Sequence, residues 1–128
     1  MTFDRKKCIA ILEKINSVFK NVEQMVKNYE QFVLQNMDDD EVLELRKTII
    51  DTLKKLRDVE LSVRKDDLEG KVIPLVKFQD EEIAILTAIA AFLTQLKENP
   101  ERKKDIEVLM RRFDKEIIEE ITALSKAA

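Results

Sequence analysis

The sequence predicts an all-α fold: a single-domain, antiparallel four-helix bundle in up-down-up-down order. Apolar residues recur at helical spacing over long stretches. One Gly and two Pro in 128 residues leave almost no punctuation for the many turns of an all-β chain. A hydrophobic content of 45% is enough to bury a core, which argues against disorder. Four stretches carry the pattern, over residues 3–35, 40–69, 79–98 and 100–125, and no repeat or low-complexity linker separates them.

The first stretch holds three columns that each repeat every seven residues: Cys8, Ile15, Val22, Tyr29; Ile11, Val18, Met25, Phe32; and Leu12, Phe19, Val26, Val33. This is the stripe of a bundle helix with one buried face. Asn36 suits a C-terminal cap, and Asp38, Asp39 or Asp40 can accept hydrogen bonds from the N–H groups that open the next helix. The second helix carries Val42, Ile49, Leu56 and Val63 in one column, with Leu45 and Val59 beside it and Leu53 on its flank. Gly70 and Pro74 then interrupt the periodicity, predicting an extended connection over 70–77 whose Val72, Ile73, Leu75 and Val76 pack over an end of the bundle. The third helix begins near Gln79 and Asp80. Asn99 and Pro100 stop it and start the fourth, since Pro fits a first helical turn. That last helix spaces Ile106, Met110, Phe113, Ile117, Ile121 and Leu124 along one side. The first and fourth helices read as ordinary one-stripe members.

Charge and cysteine use narrow the function. Charged residues make up 38% of the chain but sum to only −3, so no strong field draws it to nucleic acid or anionic lipid. Lone Cys8 permits no intramolecular disulfide and falls in a core column, predicting a reducing, cytoplasmic setting and an inert buried thiol. Five uncharged residues between Lys7 and Glu13 are too few for the apolar core of a signal peptide. The longest uncharged run, 83–96, is shorter than the roughly 20 residues of a membrane span. Abundant Ile, Lys and Glu without His or Trp point to a thermophilic source.

The absence of His removes Ser-His-Asp and Cys-His arrangements, His-containing zinc sites, and the Glu-x-x-His pairs of di-iron bundles. A single Gly removes phosphate-cradling glycine loops. The run 38–41 lacks the alternating ligands and central Gly of a calcium loop and reads as a helix N-terminus. Lys104, Arg111 and Lys115 share a face of the fourth helix, but Glu101, Glu107, Asp114 and Glu119 surround them and no aromatic is placed to stack on a base. Nucleic acid is therefore a third-ranked partner.

Three features exceed what folding needs. On the third helix Ala84, Ala88 and Ala91 form a small-residue strip beside Thr87, opposite a broad core side, so another helix can approach closely. On the second, Leu43, Ile50, Leu61 and Leu68 cluster about 90° from the main stripe on a wheel of about 100° per residue. Either set can instead be covered within one chain. The third feature is polar. Glu60 and Glu120 each lie about 20 residues into their helices and so at one level of the bundle, and Glu82 comes to the same end. Converging carboxylates can bind a cation or share a proton; the plainer account puts them at the wet end of the bundle, paired with Arg64 or a neighbouring Lys. The expectation is therefore a non-enzymatic protein-interaction module (adaptor, assembly factor or chaperone-like), without cofactor, self-associating as a homodimer through the apolar faces of the second and third helices. The alternative is an ion-binding or enzymatic bundle built on Glu60, Glu82 and Glu120.

Overall fold

The computed structural model describes residues 5–37, 39–70 and 73–126, with the helical backbone alone over 64–70 and 73–76. The described residues form four helices, α1 (Arg5–Leu34), α2 (Asp40–Gly70), α3 (Ile73–Gln95) and α4 (Arg102–Lys126), and no strand. Among these residues α1 packs on α2 and α4, and α3 packs on α2 and α4, a ring of neighbours compatible with the up-down order read from the sequence.

The turn from α1 to α2 follows from its residues. Asn36 takes a left-handed conformation (φ 59°), which Asn tolerates better than most residues. The Met37 N–H donates to the Phe32 carbonyl (2.9 Å) and the Asn36 N–H to the Val33 carbonyl (3.0 Å), the paired bonds of a Schellman cap. Of the three candidate caps, the Asp39 carboxylate accepts from the Val42 N–H at 3.1 Å; Asp38 lies outside the described residues.

Of the extended connection expected over 70–77, residue 70 and residues 73–77 are helical; 71–72 lie outside the described residues. Gly70 closes α2, and α3 starts at Ile73, six residues before the expected Gln79. Pro74 sits in the first turn of α3, where its missing N–H would have no partner in any case and its fixed φ suits the helix. Pro74 thus marks the start of a helix and not a break in the periodicity. The packing expected of Val72, Ile73, Leu75 and Val76 lies outside the described side chains.

The core is one apolar cluster fed by all four helices. From α1 it takes the Cys8, Ile15, Val22, Tyr29 column together with Leu12, Phe19 and Val26, all buried. The third expected column, Ile11, Val18, Met25 and Phe32, is only half-buried. From α2 come Val42, Ile49, Leu53, Leu56 and Val63, but Val59, expected beside the stripe, is 40% exposed. Phe19 of α1 stacks on Phe113 of α4 with ring centroids 4.1 Å apart, tying the two helices at mid-height. Arg102, at the start of α4, lies over the Phe92 ring of α3 at 4.7 Å. No helix among the described residues is long and apolar enough to cross a membrane.

Candidate functional site

Glu60 of α2, Glu82 of α3 and Glu120 of α4 meet inside the bundle. Each is fully buried, and each offers a carboxylate oxygen such that all three lie within 4.8 Å of one another. Their convergence agrees with the level-matching of the helices. Their surroundings do not agree with the expected wet end, since none is solvent-accessible. Arg64, the partner suggested by the sequence, lies outside the described side chains.

Burial dominates the electrostatics here. It pushes the Glu60 carboxyl up to about 8; a hydrogen bond with Glu82 works against the rise and the charge of Glu120 adds to it. Burial likewise pushes Glu82 up to about 10, reinforced by the hydrogen bond to Glu60 and by its charge, while a hydrogen bond with Glu120 opposes. Read as carboxylates, Glu60 and Glu82 have no donor for either oxygen; carboxyl protons supply what the protein otherwise lacks. Gln79, one turn before Glu82 on α3, is also fully buried, and neither its amide oxygen nor its nitrogen has a hydrogen-bond partner among the described residues. The interior thus contains a polar layer of three carboxyls and an amide.

Chemically such a layer can do one of two things. It can stay protonated, or it can exchange its protons for a hard cation, because every donor is oxygen. Three oxygens within 4.8 Å of one another can close around one such ion.

A second polar zone runs along α1 towards α4. Asn16, Glu23 and Glu30 continue a seven-residue spacing from Ile9, and that repeat was the available signal. Lys20 bridges Glu23 (3.5 Å) and Asp114 of α4 (2.9 Å). Glu30 is buried, and burial raises its carboxyl to about 7, helped by the Glu107 charge and opposed by Lys103 and Lys27.

The predicted interface residues fare unevenly. Ala84, Thr87 and Ala91 are exposed and Ala88 is half-buried, so the small-residue strip of α3 does face outward. Leu43 and Leu61 are 41% and 39% exposed. Ile50 instead packs against the core, and Leu68 lies outside the described side chains. Lys104, Arg111 and Lys115 are exposed, with Lys115 paired to Glu119 at 3.9 Å, a solvated face.

A strongly apolar concavity also lies among the described residues. It is a groove of about 530 Å³ between α1 and α2, lined by Ala10, Ile11, Ile15, Val18, Leu56 and Val59, with Lys7, Lys14, Thr52 and Lys55 completing the lining. The half-buried column of α1, read as core, forms one of its walls. Against known families, characterised proteins and solved structures the chain shows no match, so a functional reading rests on these sites alone.

Proposed function

We propose that this chain is a non-enzymatic, ion-holding helical bundle whose interior binds a hard divalent cation, Ca2+ in preference to Mg2+, through Glu60, Glu82 and Glu120. The observation that carries the proposal is the convergence of three fully buried carboxyls from three helices within 4.8 Å. Leaving such groups buried costs several kcal/mol per ion unless protons or a cation compensate. Ca2+ gives up its waters to carboxylates more readily than Mg2+, which keeps several, so a closed and buried site favours Ca2+. The cation acts as a staple between α2, α3 and α4. It holds an antiparallel, up-down-up-down bundle, an order supported by Phe19 meeting Phe113 while Glu30, further along α1, is near Lys103 and Glu107, further back along α4. Lone Cys8, buried, fits a reducing cytoplasmic setting.

The test uses the full chain, stripped with chelator and titrated with Ca2+, Mn2+ and Mg2+ by calorimetry and thermal melting. One Ca2+ per chain is expected, with proton release on binding and a saturable rise in Tm, and Glu82→Gln should remain helical yet lose the response. Purified protein with no stoichiometric metal, and a melting curve indifferent to all three ions, would overturn it.

A second reading, self-association through α2 and α3 as an interaction module, is supported by the outward-facing Ala84, Thr87 and Ala91 and by the exposed Leu43 and Leu61.

A further inference from the structure

The groove between α1 and α2 differs from the rest of the surface in two respects. Its floor and walls are aliphatic: Ile15 and Leu56 are buried at its base, Ile11 and Val18 are half-buried along one side, and Val59 stands 40% exposed on the other. Ala10, exposed and small, leaves the α1 side open to close approach. Among the described residues, the charged ones in the lining are Lys7 and Lys14 from α1 and Lys55 from α2. Among the described residues, a chain whose net charge is −3 thus lines a strongly apolar groove with basic side chains.

We propose that this groove docks an amphipathic helix of a partner protein, one that presents large aliphatic residues on one face and Asp or Glu along both borders of that face. Length fits: from Lys7 to Val18 the α1 wall rises about 16 Å, and anchors at i and i+7 of a docked helix span about 10.5 Å. Ile11, Val18, Leu56 and Val59 receive the anchors, and the partner's acids reach Lys14 on one side and Lys55 on the other. Lys14 and Lys55 come from different helices, so the two cations straddle the bound helix and fix its position. The groove's lining includes neither the three carboxylates nor the α3 strip.

The probe is a fluorescein-labelled peptide of about 16 residues with Leu at i, i+4 and i+7 and Glu on the flanking positions, followed by fluorescence anisotropy against the full chain. A second peptide carries Lys in place of every Glu, and a third has the same composition in shuffled order. The acidic amphipathic peptide should bind at least about tenfold more tightly than either control and weaken with salt. Lys14→Glu with Lys55→Glu should weaken it a further tenfold or so, Lys14→Gln with Lys55→Gln less, with helicity by circular dichroism unchanged because both side chains are exposed. Ala10→Trp, which fills the groove from an exposed position, should abolish binding. Equal binding of the acidic and basic peptides, or affinity unmoved by the Lys substitutions, overturns the proposal. Displacement of the peptide by palmitate at lower concentration than by unlabelled peptide assigns the groove to a single acyl chain and also overturns it. So does a dimer in light scattering that Ala10→Trp converts to monomer, because the occupant is then a second copy.

Discussion

Glu82 is the residue on which the interior turns, since it converges with both other carboxyls and burial raises its own to about 10. A raised carboxyl has a definite thermodynamic sign. The folded state keeps a proton that the unfolded chain releases near pH 4.5, so the stabilisation is complete below that pH and is lost as pH climbs through the folded values of about 8 for Glu60 and about 10 for Glu82. Each such group lowers stability steadily as pH rises between its unfolded and folded values. In chelator the Tm should therefore fall from pH 5 to pH 9, and Glu82→Gln, which keeps a donor and cannot ionise, should flatten that fall and melt higher at pH 8. Added Ca2+ should reverse the trend, because the ion needs the deprotonated form and so stabilises most at high pH. Glu30, raised to about 7 by burial and Glu107, adds a decline of the same sign that the Glu82 substitution leaves in place. A melting temperature flat across this range with chelator present would mean the layer is charge-compensated by other means.

Among the elements, α1 separates what periodicity can tell from what it cannot. Its three apolar columns correctly mark a long amphipathic helix, and Asn36 and Asp39 end it and begin the next as their chemistry dictates. Replacing the Asp39 cap with Ala should cost about 1 kcal/mol in denaturant unfolding, as the loss of an N-terminal cap does, while Asp39→Asn should cost much less. The columns do not reveal how much of the stripe the neighbours cover. Two columns fill the core and the third, with Ile11 and Val18, is left along the α2 groove. The start of α3 shows the complementary error: Gly70 and Pro74 are strong punctuation, yet punctuation four residues apart is compatible either with a long connection or with one helix ending and another beginning on a Pro.

Across the whole molecule, the ring of four helices gives every helix two neighbours and leaves each an outward strip. For α3 that strip is Ala84, Thr87 and Ala91, and for α2 it includes Leu61. If these faces join two copies, light scattering will show a dimer that Leu61→Glu or Ala88→Glu converts to monomer without loss of helicity; a monomer at all concentrations removes the self-association reading. Ile50→Glu is unsuitable for that purpose because Ile50 packs against the core and its loss would disturb folding. The four helices and most of the core were determined by the sequence alone, because burial of a stripe follows from a spacing near 3.6 residues and needs no knowledge of the neighbour. Sequence arithmetic also brought Glu60, Glu82 and Glu120 to one level. Only the packed structure decided that they face inward with Gln79, that Glu30 is buried against α4, and that Ile11 and Val59 edge an open groove. Those outcomes depend on how each helix is rotated about its axis and how closely it approaches its neighbours, which side chains of all four helices fix together and no single periodicity contains.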